Sequence, residues 1–244
     1  MSGHSKWSTI KRKKARVDAQ KGKIFTKMAK EIMVAVKQGG SDPEKNIRLK
    51  NAIARAKEAN LPSENIQRAI MRGSGELGGS VYEELTYEGY GPGGAAIMLD
   101  IMTDNRNRTA GEIRHLFAKY GGNLGETGCV SWMFNTRGQI IIYKADLNMS
   151  EDQFLLTALD AGALDVNEED DCYEVITEPG QINQVRDILE LEGIKIGSAE
   201  VAKIPQTTVV LTGEQEEKML KLIEALEEHE DVQNIYANFE IVED

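Results

Sequence analysis

The sequence predicts a multidomain α and α+β protein: an N-terminal helical domain is followed by two ferredoxin-like α/β domains, one of them discontinuous. The first observation behind this prediction is the distribution of charge. Residues 1–75 carry 18 Lys/Arg and 6 Asp/Glu, a net charge of +12, whereas residues 76–244 carry 11 and 34, a net charge of −23. The second observation is a change of apolar periodicity, from helical spacing to alternating strands and capped helices. The formal charge of −11 is therefore the sum of a basic head and an acidic body.

The basic head is predicted to contain an extended arm and three short helices. The arm, residues 1–17, is polar, basic and without periodicity. In the first helix the apolar residues fall on one side of a helical wheel and the lysines on the other, and Gly39-Gly40 ends it. Asp42 followed by Pro43 is typical of an N-cap and a first-turn proline, so it predicts the start of the second helix. The three predicted helices cover residues 18–38, 42–60 and 63–72.

The acidic body alternates apolar strands with helices that begin at capping boxes. Thr109, Ser150 and Thr212 are each followed three residues later by Glu or Gln, the spacing of a capping box. Helices are therefore predicted from residues 109, 150 and 212, and another is predicted across residues 185–191. Strands are predicted over residues 95–102, 129–134, 138–144, 163–167, 173–177, 194–204, 207–211 and 232–241.

This order of elements predicts the domain organisation. Residues 138–205 alone have the βαββαβ pattern of a ferredoxin-like domain. The two flanking pieces could form a second such unit, because a consecutive arrangement would leave incomplete sheets with too many open edges. The segment 73–80 holds four glycines and two serines, which is a linker composition. The predicted domains are a basic helical domain (1–79), a discontinuous α/β domain (80–136 plus 206–244) and an inserted α/β domain (137–205).

Composition excludes several classes of protein. Apolar residues make up 41%, which is ordinary for a globular protein, and no run approaches the length of a membrane-spanning helix. Cys129 and Cys172 are too few for a disulfide framework and fit a reducing compartment, so we expect a cytoplasmic protein without a membrane partner. The basic start lacks the apolar segment of a secretory signal.

The basic N-terminus is the strongest functional signal. Residues 1–30 hold ten Lys/Arg against Asp18 alone, and clustered cations bind phosphate backbones by releasing condensed counterions. The alternatives are a solvated surface or an intramolecular partner in the acidic body. Trp7 could stack on a base or, as we favour, bury its ring against the helices. The candidate contacts are Lys6, Lys11, Arg12, Lys13, Lys14, Arg16, Lys21, Lys23, Lys27 and Lys30.

A second candidate contact is the segment from Thr103 to Thr109. It joins a predicted buried strand to a predicted helix, so Arg106 and Arg108 are expected on an exposed loop near a helix N-terminus, where anions are favoured. Pairing of both arginines with neighbouring carboxylates is an equally weighted alternative.

Catalytic and cofactor motifs are weak. The glycines of Tyr87–Gly94 loosely match a dinucleotide-binding pattern, but they precede an apolar strand instead of following one. They more simply permit a tight turn or a close backbone approach. The acidic run 165–171 lacks the glycine and the final carboxylate of a calcium loop. The three histidines do not form a pair at metal-ligand spacing, so no enzyme activity, cofactor, metal or small-molecule substrate is expected.

A family resemblance runs along essentially the whole chain. The sequence resembles the YebC family, which includes bacterial regulators of the PmpR type and a mitochondrial translational activator. The matching segments are Gly3–Trp7, Ile10-Lys11, Lys21–Lys23, Phe25–Lys27, Tyr87–Gly94, Thr103–Thr109, Gly121–Gly125 and Asp231–Phe239.

The resemblance implies three domains and a cytoplasmic, non-enzymatic regulator of gene expression. Family members are generally described as DNA-binding transcriptional regulators, and others resemble translation factors that ease ribosome stalls at proline-rich stretches. Nucleic acid, either DNA or ribosomal RNA, is thus the expected partner, together with ribosomal or transcription proteins. The sequence leans slightly toward RNA because it offers no convincing helix-turn-helix and no heptad for a dimer, although the aromatic RNA-binding motif of an RRM sheet is also lacking.

Overall fold

A computed structural model describes residues 21–78 and 81–241, and the side chains of all of these except Lys21. The predicted arm and the candidate residues Lys6, Lys11, Arg12, Lys13, Lys14 and Arg16, like Trp7, lie outside the described residues. The described chain divides into two compact units. One contains residues 21–130 and 213–235, and the other contains residues 131–212 and 236–241. The three predicted domain boundaries stay a prediction.

The described residues contain seven α-helices and ten strands. The helices are α1 (Lys21–Gly39), α2 (Ile47–Glu58), α3 (Ser63–Gly73), α4 (Arg106–Lys119), α5 (Glu151–Asp160), α6 (Ile182–Leu191) and α7 (Gly213–Glu228). The strands are β1 (Glu83–Tyr90), β2 (Ala96–Thr103), β3 (Asn123–Leu124), β4 (Phe134–Tyr143), β5 (Asp165–Glu168), β6 (Cys172–Thr177), β7 (Ser198–Pro205), β8 (Val209–Leu211), β9 (Val232–Ala237) and β10 (Phe239–Ile241). Helices followed by mixed α/β sheets are the predicted fold class, which is confirmed.

The three N-terminal helices share the small core that their apolar periodicity predicts. Helix α1 packs against both α2 and α3. The core residues are Ile32, Ala35, Val36, Leu49, Ala52, Ala56, Leu61, Ile66 and Ala69. All except Leu61, which lies in the connection between α2 and α3, are on the apolar side of a helix, so burial of one face holds the three short helices together.

The predicted start of α2 at Asp42 is wrong, because Asn46 caps the helix. The Asn46 side chain accepts a hydrogen bond from the N–H of Leu49 and donates to the carbonyls of Ala35 and Gly40. These bonds tie the helix start to the end of α1. Asp42 instead accepts the N–H of Glu44 in the preceding turn.

The first sheet has the strand order β3-β1-β2-β9. Strand β1 pairs antiparallel with both β2 and β3, and β9 is contributed from near the C-terminus, so this α/β part is discontinuous as predicted. The predicted strand 129–134 is wrong, because residues 131–133 form a short 3-10 helix. The preceding loop is fixed by Glu88, whose carboxylate accepts the N–H groups of Gly128 and Val130.

The glycines near the end of β1 allow close backbone packing, as expected. A Cβ atom at Gly89 would lie 2.6 Å from the Asn123 carbonyl oxygen, and one at Gly122 would lie 2.6 Å from that of Tyr90. Since real Cβ atoms do not approach oxygen so closely, these glycines let β1 and β3 meet.

The second sheet is antiparallel with the order β5-β6-β4-β7. This is the ferredoxin-like arrangement of a βαββαβ unit, with α5 after β4 and α6 after β6. Ser150 caps α5 by accepting the N–H of Gln153, as predicted. The core residues include Ile140, Ile142 and Phe154. In the same unit β8 and β10 form a parallel pair, so the single strand predicted over residues 232–241 is in fact two strands.

A search of the described helices finds none that is long and apolar enough to cross a membrane.

Candidate nucleic-acid interface

The lysines on the polar side of α1 contact the C-terminal end of α7. Lys23 Nζ lies 3.4 Å from a carboxylate oxygen of Glu228, and Lys27 donates to the carbonyl oxygen of Glu227 at 3.1 Å. A helix C-terminus carries free carbonyls and a partial negative charge, which a lysine satisfies. The intramolecular partner that the sequence left open is therefore present for both residues. Lys21, the neighbouring candidate, has no described side chain.

Lys30, one of the candidate contacts named from the sequence, is buried. Its side chain is 6% exposed, and Nζ lies 2.7 Å from Asp231 Oδ1 and 2.9 Å from the Glu230 carbonyl oxygen. Helical periodicity placed Lys30 correctly on the side opposite the apolar core. It could not show that this side is covered by the segment after α7, some 200 positions later.

Asp231 connects α1, α4 and the start of β9. Its Oδ2 atom lies 2.8 Å from a guanidinium nitrogen of Arg108 and 2.7 Å from the Thr109 hydroxyl. Its carbonyl oxygen accepts the N–H of Met102 in β2. The side chain is only 4% exposed, and both carboxylate oxygens and the carbonyl oxygen accept hydrogen bonds from other parts of the protein.

The charge of Asp231 is stabilised by its partners. Burial alone would raise the pKa of this carboxyl group, but the hydrogen bonds from Lys30, Arg108 and Thr109 outweigh burial and hold the pKa well below its usual range. Asp231 is therefore ionised at any physiological pH. It forms a buried ion pair with Lys30 and a second ion pair with the partly exposed Arg108.

The helix that carries Arg106 and Arg108 begins earlier than predicted. Asn105 is its N-cap and accepts the N–H of Arg108, so the predicted start at Thr109 is wrong. Thr109 is buried instead, and its hydroxyl lies 2.8 Å from that of Thr103. Both arginines consequently occupy the first turn of α4 and not the preceding loop.

Arg106 and Arg108 differ in their surroundings. Arg108 pairs with Asp104 at 3.2 Å and with Asp231 at 2.8 Å, which is the carboxylate pairing that the sequence left open. Arg106 is exposed, and its guanidinium has no carboxylate partner among residues 21–78 and 81–241. Its carbonyl accepts the Tyr87 hydroxyl at 3.2 Å. The Arg106 guanidinium could therefore pair with a phosphate, whereas the Arg108 guanidinium already pairs with Asp104 and Asp231.

Helix α4 also presents a cation that sequence reasoning did not select. Arg114 is exposed two turns after Arg106. Burial raises the pKa of Tyr87, and Arg106 and Arg114 counteract that rise because both guanidinium groups lie near the phenol. With Lys119 and a single acid, Glu112, α4 is a basic element within an acidic region. The local excess of cations could have indicated Arg114 from the sequence. It was missed because the helix was predicted to begin only at Thr109, which separated Arg106 from Arg114.

The sheet of the ferredoxin-like unit does not offer a base-stacking surface. Ile140 and Ile142 face the helices, so strand alternation places Ile141, Glu174 and Ile176 on the opposite face. All three are buried. Sheets that stack bases need exposed aromatic side chains, so contact through this face is not supported.

Glu112, His229 and Asp231 offer potential metal ligands within 4.8 Å of one another, but they form a hydrogen-bonded group. His229 Nε2 lies 2.9 Å from Glu112, while Nδ1 accepts the N–H of Asp231 at 3.2 Å. A metal ion would have to displace Lys30 and Arg108 from Asp231. The residues present therefore do not fit a metal ion.

Comparison with known proteins agrees with this architecture. Residues 5–76 match the family model described as the TACO1/YebC protein N-terminal domain, and residues 82–239 match that described as the TACO1/YebC second and third domain. The chain belongs to the TACO1/YebC family. The resemblance to YebC proteins stated from the sequence is thereby confirmed.

Similar proteins of this family span the whole chain. A relative from Pelotomaculum thermopropionicum is 66% identical over 241 residues, covering 99% of each chain, and one from Carboxydothermus hydrogenoformans is 58% identical over all of both chains. Both are named probable transcriptional regulatory proteins. The crystal structure of a conserved hypothetical protein from Aquifex aeolicus is 47% identical, covers 94% of each chain and has a TM-score of 0.84. The chain therefore shares its full length with relatives that are named probable transcriptional regulatory proteins, and it shares its fold with a solved protein.

Proposed function

We propose that this protein is a cytoplasmic, non-enzymatic regulator of gene expression that binds nucleic acid, with duplex DNA as the first candidate. The names of its relatives support a role in transcription. The observation that carries the proposal is the charge of residues 1–20, where six Lys/Arg stand against one acid. A short segment with this excess of cations neutralises several phosphates at once.

The proposed contact surface consists of the arm and the start of α4. In the arm it includes Lys6, Lys11, Arg12, Lys13, Lys14 and Arg16. On α4, exposed Arg106 adds a guanidinium that can pair with phosphate in a bidentate manner, beside the free N–H groups of the helix start. Lys23, Lys27 and Lys30 are assigned to intramolecular contacts instead, because their ammonium groups already have acceptors.

Binding of the full chain to labelled duplex DNA and to single-stranded RNA tests the proposal. Reversing Lys11, Lys13 and Lys14 to Glu is expected to abolish binding. With about six phosphate contacts, the logarithm of affinity should fall with the logarithm of salt concentration at a slope of about −5 for duplex DNA and about −4 for single strands.

A matched control changes the same amount of charge elsewhere. Lys45, Lys50 and Lys195 are exposed and stand beside acids, so their triple reversal to Glu should leave affinity almost unchanged. Equal losses in the two triple variants would mean that only net charge matters, and would contradict an assigned contact surface.

A ribosome- or RNA-binding translation factor that eases stalls at proline-rich stretches is the second candidate. The net charge of −23 on residues 76–244 favours it, because such a body is repelled by a long duplex but can lie against basic ribosomal proteins. Crosslinking in cells followed by sequencing of the attached nucleic acid separates the two. Promoter DNA would support the transcriptional role, and ribosomal RNA near a functional centre would support the translational one.

A further inference from the structure

Three leucines are exposed on helix α5 and in the connection that follows it. Leu156 and Leu159 lie three positions apart on the outer side of α5 and are 64% and 53% exposed. Leu164, which is 49% exposed, immediately precedes edge strand β5. We call these three residues the leucine face. Exposed apolar side chains that are neighbours on a surface, as Leu156 and Leu159 are on α5, typically mark an interaction site.

The leucine face is not needed for the fold of its unit. The opposite side of α5 supplies Phe154 and Ala158, both fully buried, to a core shared with β4, β6 and α6. Helix α5 is thus already anchored by its inner side. Its outer leucines are not part of that core, so they can contact a partner without disturbing the fold.

The surroundings of the leucine face are strongly acidic. Residues 145–185 contain eleven Asp/Glu and no Lys or Arg. Asp152, Asp160 and Asp165 are exposed next to the leucines in sequence, and none of the three forms an ion pair within the described parts of the chain. The partner must therefore combine apolar side chains with positive charge.

We propose that the leucine face binds an amphipathic, Lys/Arg-rich helix of a partner protein, with aliphatic side chains against Leu156, Leu159 and Leu164 and cations against the three aspartates. A nucleic acid is excluded as the occupant because its phosphates would be repelled by the acids. A helix supplies apolar residues at the spacing of three and four that matches Leu156 and Leu159. The inference does not depend on nucleic-acid binding by the arm.

The test uses a labelled synthetic helix of about 15 residues, with leucines on one side and lysines on the other, titrated with the full-length protein. Replacing Leu156 and Leu159 with Ser removes apolar surface without changing charge. We expect at least a tenfold loss of affinity, which corresponds to about 1.4 kcal/mol. Raising salt from about 50 to 200 mM should weaken binding further, because the aspartates contribute.

Leu191→Ser is the matched control, since Leu191 is 87% exposed on α6, a different helix, which packs over β4 and β7. This variant should bind the peptide like the wild type. The assignment is overturned if Leu191→Ser costs as much as the double variant, if a lysine-only peptide binds equally well, or if the wild type does not bind.

Two further variants separate this surface from the nucleic-acid proposal. The Leu156→Ser/Leu159→Ser protein should keep its affinity for nucleic acid. Full-length protein with Lys11, Arg12, Lys13 and Lys14 changed to Ala should bind the peptide as before. Tighter peptide binding by that variant would show that the chain's own basic arm competes for the face, and would overturn the assignment to a separate partner.

Discussion

The buried pair between Lys30 and Asp231 gives the sharpest stability prediction. The two side chains are 6% and 4% exposed and meet at 2.7 Å. Lys30→Met keeps most of the side-chain volume but removes the ammonium group. Asp231 then retains only Arg108 and Thr109, and the Glu230 carbonyl loses its donor.

The expected cost follows from the charge that is left behind. Removing one member of a buried pair costs about 3–5 kcal/mol because the other member remains in a poor environment. Lys30→Met should lower the free energy of unfolding by about 3 kcal/mol, since Arg108 still pairs with the charge of Asp231. Asp231→Asn should cost more, because it leaves the Lys30 ammonium buried beside neutral oxygens only and also removes the carboxylate that pairs with Arg108. The loss of unfolding free energy in the double variant should be smaller than the sum of the two single losses by about 2 kcal/mol, because the two residues interact directly.

Urea unfolding followed by far-ultraviolet circular dichroism measures these costs, because the cluster lies in the helix-rich unit. With a slope of about 2–3 kcal/mol per molar urea, Lys30→Met should lower the midpoint by about 1 M or more. Lys45→Met is the control, since Lys45 is 84% exposed beside Asp42 and should change stability by less than about 0.5 kcal/mol. A Lys30 variant as stable as this control would refute the assignment of Lys30 to an internal ion pair.

Further predictions concern pH, backbone packing and the surface of α4. The lowered pKa of Asp231 stabilises the fold above about pH 4, the pKa of an unfolded Asp, and this stability is lost as pH falls toward the folded-state pKa. The difference in unfolding free energy between wild type and Asp231→Asn, measured by urea titration at several pH values, should therefore be constant above about pH 5 and shrink below about pH 4. Gly89→Ala should cost about 1–3 kcal/mol because its Cβ would meet the Asn123 carbonyl, whereas Gly111→Ala on the open side of α4 should stabilise by about 0.5–1 kcal/mol; a thermal melt that ranks them otherwise contradicts the packing. Arg106→Glu should weaken nucleic-acid binding at unchanged melting temperature, while Arg108→Glu should lower the melting temperature, because only Arg108 holds a buried carboxylate.

Local patterns in the sequence carried most of the fold. The apolar side of α1, the cap at Ser150 and the βαββαβ order of residues 138–205 depend on neighbours within a few positions, and each is present in the structure. The errors arose where two signals competed. Asp42 and Asn46 are both capping residues, and only tertiary hydrogen bonds to Ala35 and Gly40 select Asn46.

The candidate site was less predictable because its contacts are distant in sequence. Thr109 has good capping spacing, yet its hydroxyl is used inside the protein by Asp231, which lies 122 positions away. Asp231 itself is one acid among 40 in the chain, and its neighbours do not distinguish it. Periodicity shows which side of a helix is polar, but not whether solvent or another part of the chain covers that side.

The placement of the α1 lysines changes what the charge division means. From composition alone, every cation of the excess in residues 1–75 could contact a ligand. Lys23, Lys27 and Lys30 instead satisfy the end of α7 and Asp231, so part of that excess fixes the helical region onto the acidic body. We therefore expect nucleic acid to contact the cations that lack such partners. Arg106 stands two positions before Arg108 on α4, so a phosphate bound at the start of α4 would lie within one helical turn of Arg108 and its ion pair with Asp231. Binding there should consequently be sensitive to Asp231→Asn even though Asp231 never touches the ligand.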